Sequence, residues 1–372
     1  MIYGTRMRSW TVGLTMAIAL VSVRPYAQTA ATARNVVVIT IDGLRWQEVF
    51  GGAGQEYFKK EKDGVPGAAE KRFWRATAEA RRAALMPFIW GTVATKGQIF
   101  GDPSKQSRAH LTNGLWFSYP GYNEMFSGAA DPRVDSNDKV ANPNVTVLEW
   151  LNGRPGFSGR VAAFGAWDVL PSILNTARSR IPVGSGFAPV PSPTTERGRA
   201  INELAADLPP YWDYGTFDAP IVYAAIDTLR TARPRVLYIM LGEGDEWAHA
   251  GRYDLYLDAA FRADRFIRRV WDVLQSLPEY ANRTTLLVTT DHGRGATTAD
   301  WTDHGRKVPA AETTWFAALG PGVAPLGARE GVTVTTSQLA ATVAAVVGED
   351  FRAAVPAAAP PLPGIGPREL RR

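Results

Sequence analysis

Three runs of β-forming residues in this chain each lead to an aspartate: NVVVITI to Asp42, RVLYIMLGEG to Asp245 and TTLLVTT to Asp291. His249, His292 and His304 follow, so three of the chain's four histidines stand near these carboxylates. Carboxylate oxygen mixed with imidazole nitrogen is the donor set that zinc and similar divalent ions take. Such a grouping points to a two-metal hydrolytic site. One aspartate at a strand end is ordinarily a turn or helix-cap residue. Three of them gain meaning together, because parallel strands deliver their carboxyl ends to one edge of a sheet, where ligands bind.

Spacing sets how each residue must be presented. Asp245 and His249 are four apart and share a face if GDEWAHAG opens a helical turn. Asp291 and His292 are adjacent, so both reach one ligand only from irregular chain beyond the strand. His304 lies in DWTDHG, a turn-rich loop where Gly305 permits close backbone approach. His110, in SRAHLT, has no acidic neighbour and reads as a surface histidine.

The elements that would position these residues alternate along the 372-residue chain. Residues 35–41 form a continuous β-branched run, the pattern of a strand buried on both faces. Further strands are expected at 97–100, 160–164, 235–241, 284–290 and 314–319, with helical stretches near 70–86, 144–151, 254–274 and 336–347. The alternation predicts an α/β protein, a three-layer α/β/α sandwich around a mostly parallel sheet. The catalytic domain is expected over 34–349. The Pro-, Gly- and Ser-rich stretch 179–210 breaks the rhythm, so a small inserted cap is placed at about 168–233. Its Trp212, Tyr214 and Phe217 are expected first as packing residues, with a substrate-facing role as the alternative. Residues 350–372 read as an extended low-complexity tail.

Residues 1–27 read as a signal peptide: Arg6 and Arg8, an apolar stretch over 10–23, then small residues. An uncleaved anchor is the alternative, and no later segment reaches spanning length. Removing residues 1–27 takes three arginines and no acid from a formal net charge of +5, so the pI of about 9.4 is no sign of a nucleic-acid-binding module. The chain has no cysteine. That excludes disulfides, thiolate ligands and a cysteine nucleophile, and suits export to a periplasm or beyond.

A candidate nucleophile lies in NGLWFSYPGYNEMFSG. Ser118 follows an apolar run and precedes Pro120, a context that opens a helix and exposes N–H donors suited to a phosphate oxygen. A serine hydroxyl attacks at neutral pH only when a base or metal lowers its pKa.

In order along the chain, IDGLR, FSYPGYNEMFSG, GDEWAHAG, TTDHGRG, the DHG at 303–305 and TTSQLAATVAAVVG resemble the alkaline phosphatase superfamily, most closely its nucleotide pyrophosphatase/phosphodiesterase-like branch. The resemblance spans about residues 35–348. It implies one metal held by Asp42, Asp291, His292 and the Ser118 oxygen, and a second held by Asp245, His249 and His304. The implied cofactors are two divalent ions, zinc first, with manganese or iron admitted by the donors. It also implies attack of Ser118 on phosphorus, a phosphoserine, and a phosphate-ester small molecule as substrate. The family's phosphoryl-holding asparagine aligns most nearly with Asn137; Asn142, Asn144, Asn123 and Lys139 are the other candidates. Sulfatases carry arginine at the fifth position of their C/S-x-P-x-R motif and a second aspartate after the first. Here those positions are Tyr122 and Gly43, which disfavours a sulfatase. A phosphonate esterase, a phospho-group transferase and a non-catalytic binding protein with the same fold are the remaining alternatives.

Overall fold

The computed structural model describes residues 1–4, 33–59 and 67–366, so the expected signal segment lies outside the described residues beyond its first four. Among the described residues there are ten strands: β1 (Asn35–Ile41), β2 (Gln98–Phe100), β3 (Arg108–His110), β4 (Val161–Gly165) and β5 (Val183–Ser185) come first. They are followed by β6 (Val236–Leu241), β7 (Thr284–Thr289), β8 (Phe316–Leu319), β9 (Gly327–Ala328) and β10 (Thr333–Thr335). Eight form one sheet in the order β5-β4-β6-β1-β7-β8-β2-β9, and β3 pairs with β10 alone. The run from β5 to β7 is parallel, and β8 is antiparallel to both its neighbours.

β1 shows why the sequence reads apolar without alternation. Val37, Ile39 and Ile41 enter the core on one face of the sheet, and Val36 and Val38 enter the core on the other. Helices Asp218–Thr231 and Tyr253–Ser276 cover the first face, while Ser118–Ser127, Val147–Asn152 and Gln338–Val346 cover the second. The fold is therefore a three-layer α/β/α sandwich with a mostly parallel sheet. Among the described residues no helix is long and apolar enough to cross a membrane.

Three local expectations are corrected. The range 168–233 is not a separate cap: β5 is an edge strand of the main sheet, and Asp218–Thr231 buries Ile221, Val222, Ala225, Ile226 and Leu229 in the core. Its Pro and Gly content marks loops, which conceal a three-residue strand and a helix that begins late. The C-terminal stretch is packed as far as Gly366, with Ala358, Leu362 and Ile365 buried and Ala359 N–H donating to Gly128 O at 2.9 Å. Extended proline-rich chain docks well when small apolar residues punctuate it. The helix expected at 70–86 is two, Ala68–Phe73 and Ala78–Leu85, the second capped by Thr77.

Candidate active site

The carboxyl ends of β1, β6 and β7, adjacent in the sheet, bring the three aspartates together. Asp42 prolongs β1, its N–H donating to Leu241 O at 2.9 Å. Gly43 then turns the chain at φ 59°, where a Cβ would sit 2.5 Å from Asp245 Oδ1, so only glycine fits. Its N–H donates to Asp291 Oδ1 at 3.1 Å, joining the ends of two strands. Asp291 and His292 occupy the irregular segment after β7. His292 Nδ1 donates to Gly293 O at 2.8 Å, which orients the ring so that Nε2 faces the aspartates. That Nε2 is 3.4 Å from Asp42 Oδ1 and 3.4 Å from Asp291 Oδ2.

A second group forms beside it. Asp245 and His249 lie on one face of the helix Glu243–His249, with His249 Nε2 at 3.2 Å from Asp245 Oδ2. His304 arrives from the loop beyond β7, its Nε2 3.0 Å from that of His249. Within Asp42, Asp291 and His292, and within Asp245, His249 and His304, the donor atoms lie no more than 4.8 Å apart. The groups adjoin: the rings of His292 and His304 stack with centroids 4.0 Å apart. His110 stands outside both, half-buried in β3.

The protein alone leaves this arrangement electrostatically incomplete. Asp42 Oδ1 and Asp291 Oδ2 are buried without any hydrogen-bond partner. Burial, then the neighbouring carboxylates, pushes both acids well above the ordinary carboxylate range. Burial works the same way on Asp245, yet the guanidinium of Arg294 with His249 and His304 holds that carboxyl well below its ordinary value. His304 is lowered to about 2, by burial and then by repulsion from His292, so its imidazole is neutral, the form that binds metal. Crowded carboxylates, orphaned oxygens and the neutral imidazole of His304 fit divalent cations. The donor set mixes oxygen and nitrogen, unlike an all-oxygen calcium site.

Ser118 is the first residue of the helix Ser118–Ser127, buried, with Oγ 3.3 Å from His292 Nε2. Two features seat this helix. A Cβ on Gly121 would lie 2.5 Å from Asp291 O, so glycine allows the helix to touch the end of β7. Tyr122, one position on, donates its hydroxyl to Asp42 Oδ2 at 2.9 Å. Asn137 Oδ1 accepts the Tyr119 N–H at 2.9 Å, satisfying a free donor of the first turn.

A cavity of about 450 Å³ opens over the site, lined by Asp42, Ser118, Asn137, Asp245, His249 and His304 together with Lys139, Trp167, Asp168, Tyr214 and Glu246. Of the five candidates for holding a phosphoryl oxygen, Asn137 and Lys139 line it. Asn142 is buried on Ile173 O, and Asn123 and Asn144 bond each other. Tyr214 faces the cavity with its hydroxyl on Glu246 at 3.0 Å, whereas Trp212 packs among Tyr211, Phe217 and Trp247. Sequence reasoning missed Trp167, Asp168, Glu246 and Arg294. The one sequence signal for Arg294 is its place two residues after His292; its complete burial, which requires an anion nearby, is seen only in the structure. Its Nη2 donates to the Asp245 side chain and, at 3.1 Å, to Asp245 O.

The architecture is the fold of several solved structures, among them a member of the alkaline phosphatase superfamily. The chain is similar to that superfamily member, from Vibrio parahaemolyticus, at 13% identity and TM-score 0.50, covering 87% of this chain and 69% of that one. The lipoteichoic acid synthase LtaP from Listeria monocytogenes is similar at 8% identity and TM-score 0.53, with 87% and 74% covered. The phosphonate monoester hydrolase of Agrobacterium radiobacter is similar at 12% identity and TM-score 0.51, with 87% and 77% covered. No family model matches the sequence, and no curated protein matches it.

Proposed function

We propose that the protein is a metal-dependent hydrolase of phosphoric esters that works through a phosphoserine on Ser118. The observation that carries this reading is the seat of Ser118: a buried hydroxyl at a helix N-terminus, 3.3 Å from His292, opening on the cavity that both Asp/His groups border. Asp42, Asp291 and His292 would hold one divalent ion with the Ser118 oxygen, and Asp245, His249 and His304 a second, zinc being the first choice. When bound, the two ions supply the positive charge that lowers the pKa of the serine and neutralises the entering and leaving oxygens.

The chain's own residues do the rest. The helix Ser118–Ser127 aims Oγ into the cavity; Tyr119 N–H is taken by Asn137, Pro120 has none and Gly121 N–H is given to Phe117 O, which leaves the Ser118 N–H and the positive end of the helix to favour an anionic phosphoryl oxygen. Asn137, whose Oδ1 is committed to Tyr119 N–H, has its amide hydrogens to offer the same group. Ser118 Oγ forms the new bond to phosphorus as the bond to the leaving oxygen breaks. Water then attacks phosphorus and the P–O bond to Ser118 breaks, a proton from the water returning to Oγ, with release of phosphate from a monoester or a phosphomonoester from a diester. Tyr122, where a sulfatase has its arginine, is buried against Asp42, consistent with phosphorus rather than sulfur chemistry.

The test compares rates on an aryl phosphate, an aryl phosphodiester and an aryl sulfate using metal-loaded protein and its Ser118→Ala variant. The phosphate or diester should turn over fastest, and Ser118→Ala should lower that rate by at least about 10³-fold with metal content intact. Preference for the sulfate, or a fully active Ser118→Ala protein, sinks the reading.

A further inference from the structure

The opposite end of the sheet carries a pattern unrelated to the aspartates. Each of the four adjacent parallel strands β4, β6, β1 and β7 is immediately preceded by an arginine: Arg160, Arg235, Arg34 and Arg283. The registers set Arg160 beside Arg235 and Arg34 beside Arg283, with the two pairs one residue out of step, so all four leave the same end of neighbouring strands spaced roughly 4.8 Å apart. Arg233 joins them, and the five border a concavity of about 460 Å³ with Asn35, Glu279 and Tyr280.

This edge holds an excess of like charge. Glu279 is the only acid in the lining, and it pairs with Arg233 at 2.5 Å. Glu349, which also acts on Arg235, is engaged by Arg154 at 3.0 Å. The arginines hold one another in place through backbone oxygens: Arg235 Nε and Nη2 both donate to Arg34 O at 3.0 Å, and Arg160 Nε donates to Arg233 O at 3.1 Å. Arg235 also lies over the Phe157 ring at 3.8 Å. Burial, and then repulsion from Arg160, holds its pKa below the ordinary arginine value. Such crowding costs folding free energy, and an external anion would recover it.

We propose that this arginine row docks on the anionic phosphate headgroups of a lipid bilayer, with the aspartate edge turned to the aqueous side. Two observations favour a bilayer over another polyanion. The charges are set along one exposed sheet edge, and, on the alternative in which the N-terminal stretch is kept as an uncleaved anchor, Arg34 is where the chain arrives from its apolar residues 10–23. The ten residues between reach at most about 35 Å, so a bilayer met by that stretch lies within reach of this edge. The site at the other strand ends would stand one strand length away, about 20 Å, and would draw substrate from solution.

The experiment uses the full chain in co-sedimentation with phosphatidylcholine vesicles, with and without phosphatidylglycerol, across a salt series. Neutral vesicles report any affinity of the apolar stretch itself. The wild type should bind the anionic vesicles more tightly, and added salt should erase the difference. Each arginine near an anionic surface contributes about fivefold, the equivalent of ~1 kcal/mol. The triple variant Arg160→Gln, Arg233→Gln, Arg283→Gln should therefore lose about a hundredfold on anionic vesicles only. Glu279→Gln, which removes the one acid of the lining, should gain about fivefold and guards against a misfolded triple variant. Equal binding to both vesicle types, an unchanged triple variant, or preference for soluble polyphosphate over the anionic vesicles overturns the proposal.

Discussion

The two Asp/His groups use the same chemistry in opposite surroundings. Asp42, Asp291 and His292 have side chains 7%, 0% and 0% exposed, whereas Asp245, His249 and His304 are 13%, 42% and 13% exposed. The enclosed group is built from the ends of two central strands and closed over by the helix that carries Ser118. The open group draws on a seven-residue helix and a loop, and only it has a guanidinium, Arg294, already touching one of its carboxylates. Water can partly solvate the open group, but nothing among the described residues neutralises both enclosed aspartates. On the proposed reading, an enclosed cation would be part of the folded structure as well as of the reaction, and an open one would exchange more readily.

The largest expected effect separates them directly. Chelation should abolish turnover, releasing the open ion first with little change in melting temperature and the enclosed ion later with a marked fall. His249→Ala should cost about one equivalent of metal and leave the melting temperature nearly unchanged. Asp291→Asn should also cost about one equivalent, but lower the stability of metal-loaded protein by several kcal/mol, as removing one partner of a buried charge set does. In chelated protein the sign reverses: Asp291→Asn removes a carboxylate whose charge burial and Asp42 disfavour, so it should raise the melting temperature. Elemental analysis with calorimetry reads each of these outcomes, and indistinguishable variants would erase the proposed contrast.

What was legible beforehand follows the same division. Asp42 and Asp291 stood at the ends of long apolar strands, whose composition states burial and whose parallel pairing brings them together. The grouping of Asp245 with His249 followed from helical spacing. Arg294 and Glu246 were harder, because their meaning comes from contacts across 49 and 32 residues that no periodicity reports. The supposed cap failed for a related reason: β5 has only three residues, too few to alternate, and Pro and Gly around it dominate any reading of composition.

A middle-sized effect probes how the nucleophile is tied to the enclosed group. In Gly121→Ala the new methyl would lie 2.5 Å from Asp291 O, a backbone atom at a strand end that cannot yield. The helix must retreat, at a cost of ~1–3 kcal/mol. A displacement of about 1 Å at Ser118 would lower kcat by about 10²-fold. Metal stoichiometry at the open group should stay as in wild type. Unchanged kcat with reduced stability would show that the helix relaxes without moving Ser118.

The smallest effect falls on Asn137, which serves the helix and the cavity with different atoms. Its Oδ1 accepts the Tyr119 N–H, so that oxygen assignment is fixed by the donor it faces. Asn137→Ala removes both roles and should cost ~1 kcal/mol of stability, the scale of a lost helix cap, along with a modest part of kcat/KM. Asn137→Asp keeps an accepting oxygen for Tyr119 but replaces the amide donor with a negative charge beside the incoming anion. It should melt close to wild type and yet lose more kcat/KM than the alanine variant, chiefly through KM. If instead the two variants rank alike in stability and in kcat/KM, Asn137 only caps the helix, and Lys139 becomes the cavity's cationic contact for substrate.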